Sequence, residues 1–373
     1  MVKQEHRNIM TSIKGSCKVH LATCLLTMIV ILACGTSRNT WTPAPFPQPG
    51  LAITVDTISQ VQELVCIPQP GWVNALTWSP DGTFLAVATS SYSAQQWHGE
   101  VQLWDVSIGE PLKTIKITGI HQLTFSPNGK LLAGIGNHGL LVWSVPDGIE
   151  LIQQPLSQFG TKHVAFSSDG SRLAYRHKNI IQLLEMPSGD LLGTIPQKGE
   201  DVEFAFFPNE PMLITAGRNK SESPTFSVWD ITTSKEIDSY PLQISLPIEI
   251  QGSILLPGTM LAAMPIRVDA VGIFDLQSGE LLLEWDGFRF DVPRFTFSPD
   301  GSVLAAGEGV GFEVASPSGL RLLDVINNQE VPMLKGHKGV IVVLAFSPDG
   351  RLLATGSEDQ TVRLWGIPLG SEE

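Results

Sequence analysis

Apolar and polar residues alternate over short stretches along most of this chain, a period of two that predicts half-buried β-strands. Val340, Val342, Leu344 and Phe346 occupy every second position of one such stretch, so one face of that strand is expected in a core. The stretches run into turn-forming clusters: Trp78-Ser79-Pro80-Asp81-Gly82, Phe125-Ser126-Pro127-Asn128-Gly129, Phe166-Ser167-Ser168-Asp169-Gly170, Phe207-Pro208-Asn209, Leu256-Pro257-Gly258, Phe297-Ser298-Pro299-Asp300-Gly301 and Phe346-Ser347-Pro348-Asp349-Gly350. Pro presets φ in such a turn, Asp binds its own backbone, and Gly accepts the left-handed conformation that lets two strands leave with matching twist. Near-continuous apolar runs follow, as in Leu131 to Ala133, Val303 to Ala306 and Leu352 to Ala354. Such runs suit interior strands covered on both faces.

A third strand of each unit closes on a bulky apolar residue. The endings are Leu103-Trp104-Asp105, Val142-Trp143-Ser144, Leu183-Leu184-Glu185, Val228-Trp229-Asp230, Ile273-Phe274-Asp275, Leu322-Leu323-Asp324 and Leu364-Trp365-Gly366. The turns recur at intervals in the forties, which marks repeated supersecondary units rather than separate domains.

These registered turns and Trp-Asp endings resemble the WD-repeat β-propeller family, over roughly Ser59 to Ile367. Periplasmic propellers of another repeat type share the Phe-Ser-Pro-Asp-Gly turn. The Leu-Trp-Asp endings and Gly336-His337 point to the WD type. The resemblance implies an all-β fold, a seven-bladed β-propeller of four-stranded antiparallel blades. It also implies a hydrogen-bonded structural network in the last copy, falling on His337, Asp359, Trp365 and either Thr355 or Ser357. The chain stops one strand short of a complete last blade. The alternating segment Val61 to Ile67 is therefore expected to supply that blade's outer strand and close the ring, removing free edges.

The first fifty residues have a different character. Lys3, Arg7, Lys14 and Lys18 precede an apolar stretch from Leu21 to Ala33, and Cys34 follows directly. This pattern reads as a secretory signal peptide, too short for a comfortable transmembrane helix. Ile31-Leu32-Ala33-Cys34 further resembles a bacterial lipobox, which implies cleavage and lipidation at Cys34; an uncleaved signal anchor is the alternative. Pro43, Pro45, Pro47 and Pro49 alternate in the segment that follows, so an extended, semi-stiff tether is expected. The organisation read from the sequence is a signal peptide over 1–33, a lipidated Cys and Pro-rich tether over 34–50, and a propeller over 51–373. Cys66 is left to pack on the closing strand.

The formal net charge is −13, and removal of the cationic leader makes the remainder more acidic. That balance disfavours nonspecific nucleic-acid binding and electrostatic adhesion to anionic lipid. His98, His121, His138, His163 and His177 are dispersed, with no ligand spacing, so neither metal nor cofactor is expected. His337, Asp359 and Ser357 have the residue types of a nucleophilic triad, but the family resemblance assigns them to packing. Gly134-Ile135-Gly136 and Gly307-Glu308-Gly309 only superficially resemble phosphate loops, since no helix follows; they read as turn glycines.

The resemblance places the connections between second and third strands on one face. Three are long here: Ser90 to Glu100, Arg218 to Pro224 and Glu308 to Ser318. With Trp72 and the stretch from Trp285 to Phe290, they give candidate partner-binding residues Trp72, Tyr92, Trp97, His98, Phe288, Arg289, Phe290 and Phe312. Aromatics and Arg are the types that dominate interface energetics. The expected function is a non-catalytic protein-interaction scaffold, exported and membrane-anchored as a lipoprotein at the bacterial cell envelope. An exported propeller enzyme or small-ligand binder using the channel mouth is the alternative.

Overall fold

The computed structural model describes residues 45, 46, 48–156, 163–197, 201–207, 211–218, 225–241, 254–255, 261–267, 270–275, 278, 280–287, 294–308 and 318–369. The repeated turn explains its own sequence. Ser79 donates its hydroxyl to Asp81 Oδ1 at 2.6 Å and accepts the Phe84 N–H at 2.8 Å, while Gly82 takes a φ of 72°. The same arrangement recurs with Ser126 and Asn128, Ser167 and Asp169, Ser298 and Asp300, and Ser347 and Asp349. The hydroxyl thus bridges turn and strand.

The described strands form seven antiparallel sheets, each following chain order except the one that holds the first strand. The first sheet contains β2 (Trp72–Trp78), β3 (Phe84–Ser93), β4 (Gln96–Asp105) and β5 (Glu110–Lys116). β1 (Gln62–Pro68) instead joins the last sheet, antiparallel to Thr361–Gly366, with Gln62 opposite Gly366 and Pro68 opposite Thr361. Arg363 and Glu63 form an ion pair across that seam.

The third-strand residues Trp104, Trp143, Leu184, Trp229, Phe274, Leu323 and Trp365 are all buried. All but Phe274 lie in cores shared by neighbouring sheets. Val73, Leu76, Trp78 and Leu85 of the first sheet pack with Leu352, Ala354, Val362 and Leu364 of the last. First and second sheets share a core in the same way, as do second and third, third and fourth, fifth and sixth, and sixth and last. Burying a large apolar side chain contributes about 1.5–3 kcal/mol, so these shared cores dominate cohesion.

Several expectations need correction. The tether does not run free to Gly50: Phe46 is 3% exposed, stacks on Trp104 and donates its N–H to Val106 O, while Gly50 donates to Ile367 O. An aromatic ring in a proline-rich strand has an apolar slot to fill, and it fills it. Ser90 to Glu100 is not a loop but the outer part of β3 and β4. The outer strand of the sixth sheet is split into Gln329–Glu330 and Leu334–Lys335, with Pro332, which lacks an N–H, in the gap. A bulge between Ile341 and Val343 shifts the alternation read there, so Ile341, Leu344 and Phe346 are the buried set. Gly134, Gly136 and Gly307 sit within strands rather than turns. At Gly136 a Cβ would meet Gly119 O at 1.9 Å, so close backbone approach requires glycine there. Trp285 is buried rather than displayed, and Cys66 is only half-buried on β1.

Candidate functional site

Two constellations emerge from the fold, one buried and one exposed. In the last sheet Trp365 donates its indole N–H to Thr355 Oγ1 at 2.9 Å. His337 Nε2 lies 2.7 Å from the same hydroxyl, and its Nδ1 lies 3.0 Å from Asp359 Oδ2. The assignment that gives every proton an acceptor runs from Trp365 N–H to Thr355 O, from Thr355 O–H to His337 Nε2, and from His337 Nδ1–H to Asp359. Asp359 also accepts the Lys338 N–H and the Thr361 hydroxyl, and its own N–H donates to Ser357 Oγ. Both candidate hydroxyls are therefore used, Thr355 between the rings and Ser357 on the Asp359 backbone. Burial pushes the Asp359 carboxyl up, but the hydrogen bonds it accepts from His337, Thr361 and the Lys338 N–H outweigh that and hold the group at about 2. Thr355 and Ser357 are fully buried, so this cluster braces a hairpin and offers no open nucleophile.

The exposed constellation is an arm. β3 and β4 stay paired past the ends of their neighbours, from Ser91↔His98 through Tyr92↔Trp97 to Ser93↔Gln96. Ala94 and Gln95 make the two-residue turn at φ 49° and 63°, the left-handed values a tight hairpin demands. Trp72 lies opposite Ser90 on β2. Trp97 contacts both other rings, with centroids 6.0 Å from Trp72 and 5.3 Å from Tyr92. All three stay in solvent, at 40%, 55% and 59% exposure for Trp72, Tyr92 and Trp97. His98 is exposed beside them.

A cleft of about 670 Å³ runs along the arm, lined by Trp97, His98, Lys116, Thr118, His138 and Gln153 among others. Its base is anchored to the core by a polar chain. Trp104 donates to Gln102 Oε1 at 3.0 Å, Gln102 donates to Glu100 Oε1 at 2.6 Å, and Glu100 pairs with Lys116. On the far wall His138 Nε2 lies 3.1 Å from Thr118 Oγ1. Among the described residues no group of His, Cys, Asp and Glu is arranged to hold a metal. Nor is any helix among them long and apolar enough to cross a membrane.

The structure therefore brings Trp72, Tyr92 and Trp97 together, with the exposed His98 next in sequence on the other face of β4. Cys34, Phe288, Arg289, Phe290 and Phe312 lie outside the described residues, as do residues 219–224 and 309–317 of the other two long connections. Lys116, Thr118 and Gln153 were not singled out from the sequence, and His138 entered it only among the dispersed histidines. They come from two sheets, and only the fold makes them neighbours.

Comparison with known proteins agrees with this geometry. The family described as "WD domain, G-beta repeat" matches residues 62–105 and 328–366, the stretches that hold β1 to β4 and the last sheet. The chain is 26% identical over 258 residues to WD repeat-containing protein 18 of Danio rerio, covering 64% of this chain and 58% of that protein. To the Homo sapiens protein of that name it is 25% identical over 303 residues, covering 76% and 68%. It is also 25% identical over 257 residues to eukaryotic translation initiation factor 3 subunit I of Culex quinquefasciatus, covering 63% and 76%. Residues 62–105 and 328–366 thus match the WD-repeat model, in an all-β chain similar to WD-repeat proteins.

Proposed function

We propose that this chain is a non-catalytic protein-interaction scaffold: a seven-bladed β-propeller, its ring closed by β1 in the last sheet, that binds a partner protein through the arm. WD repeats serve protein–protein interaction, and one relative is by name a subunit of a larger factor. The observation that carries the reading is the cluster at the paired two-stranded arm in which Trp97 touches both Trp72 and Tyr92, three aromatics left in solvent. Exposed contiguous aromatic surface of that kind marks an interaction site. Ring closure is supported by β1 pairing, by the core shared between first and last sheets, and by Pro348 lying against Gly82 as Pro80 lies against Gly129. The test is capture of partners by the full chain from native material, with cross-linking to locate them. Tyr92→Ala with Trp97→Ala should abolish capture while the melting temperature holds; unchanged capture overturns the reading.

The same proposal includes an anchor. Cys34 after the apolar stretch, in a lipobox-like setting, supports export and lipidation at a bacterial cell envelope. Mass measurement of the N-terminal peptide tests it: a diacylated Cys34 is expected, and an unmodified, uncleaved N-terminus overturns it. The 670 Å³ cleft favours a second reading, a small-ligand binder. A ligand retained through purification, with no protein captured, would favour that reading instead.

A further inference from the structure

We propose that the arm takes an extended, uncharged segment of the partner protein as an added β-strand on the outer edge of β4, inside the cleft. The inference rests on the scaffold reading and specifies how its surface works. β5 pairs with β4 only as far as Lys116↔Glu100, and the last bond between them is Ile117 N–H to Gly99 O at 3.0 Å. Beyond it β4 continues through Gln96 to His98, held on its other side by β3. Among the described residues no strand pairs with that outer edge. Backbone groups alternate sides along a strand, so Trp97, two residues from Gly99, also turns its N–H and C=O toward the cleft.

Natural edges are guarded by Lys, other inward charges or Pro. From Phe84 to Gly99 this chain holds none of Asp, Glu, Lys, Arg or Pro, although its net charge is −13. The edge is therefore open to a new strand, the recognition mode in which main-chain bonds give affinity and side-chain pockets give specificity. Three observations define the occupant. Glu100 and Lys116 are spent on each other, so the cleft has no unmatched charge from them to answer a charged peptide. Trp97 offers an apolar wall to every second side chain of an added strand, and Thr118, His138 and Gln153 offer hydrogen bonds across from it. A second copy of this chain would bring the same acidic body, and repulsion between the two opposes arm-to-arm pairing.

The test uses the full chain and a displayed library of random dodecapeptides. The selected peptides should be uncharged, with apolar residues at alternate positions, and the protein should stay monomeric by light scattering while binding them. N-methylation at alternate residues of a selected peptide should weaken binding at least tenfold in one parity and less than twofold in the other. Trp97→Ala should weaken it at least tenfold without lowering the melting temperature. Equal effects of both parities, charged selected peptides, selection of none, or arm-dependent dimers each overturn strand addition. A native partner captured through Trp97 whose binding segment tolerates both N-methylation parities overturns strand addition and leaves the scaffold reading standing. Capture that ignores the arm overturns both.

Discussion

Trp78 donates its indole N–H to the backbone carbonyl of Ala345 at 3.0 Å, across 267 positions of sequence. The bond joins the first strand of the first sheet to the first strand of the last hairpin, inside the core those two sheets share. Trp78→Phe keeps the ring and deletes the donor. It is expected to cost about 1–3 kcal/mol, because a buried carbonyl loses its partner. Urea denaturation should show a lower midpoint with an unchanged slope.

Thr355 is the hinge of the buried relay. Thr355→Val preserves shape but leaves the Trp365 N–H and the His337 ring without their shared hydroxyl, an expected loss of about 2–3 kcal/mol. Thr355→Ser keeps the hydroxyl and should cost clearly less. A loss in Thr355→Ser with none in Thr355→Val would show that the methyl group, rather than the relay, matters.

Asp359 gives the last sheet an acid limit. Its folded value of about 2 lies below the ordinary 3.8, so the unfolded chain takes up the proton first. The stability this group contributes is complete above about pH 4 and is lost as pH falls toward 2. Asp169, held at about 2 by the Ser167 hydroxyl and by Ser171, adds a loss of the same sign. Denaturation midpoints measured from pH 5 to pH 2 should fall more shallowly for Asp359→Asn than for the parent, from a lower starting stability.

Two tryptophans in one strand separate display from structure. Trp97→Ala should change folding stability by no more than about 0.5 kcal/mol, as expected of a solvent-exposed side chain. Trp104→Ala, seven residues on and buried, should cost about 3–5 kcal/mol. Thermal melts of the two variants distinguish these outcomes directly.

Phe46 pins the segment that leads into β1 against the first sheet. Phe46→Ala removes the stack on Trp104. Thermolysin, which cuts before apolar residues, should then cleave at the exposed Leu51 within minutes while the sheets persist. The parent chain should resist under the same conditions.

Features encoded within a few residues were legible in the sequence. Ser-Pro-Asp-Gly specifies its turn because the hydroxyl, the carboxylate and the left-handed glycine all act within five positions. The pairing of β1 with the last sheet was legible because an alternating segment lay outside any repeat. The arm was misread as a loop, although its stretch from Ser90 to His98 contains no Gly, Pro, Asn or Asp, and that lack of turn formers was the sign of continued strand. The cleft was invisible because Lys116, Thr118, His138 and Gln153 meet only after two sheets pack. Phe46 was absorbed into a proline-rich composition, and only the slot over Trp104 reveals its role.

The pairing of β1 with the final strand also sets a timetable. Glu63 meets Arg363 across 300 positions, so during synthesis the first strand leaves the ribosome long before its mate exists. At about 5–20 residues per second that interval is on the order of 15–60 s. Throughout it, both ends of the unfinished chain carry raw strand edges, and contacts of such long sequence separation form slowly even afterward. A chain cut short before Thr361 would leave β1 without its partner strand and its edge bare.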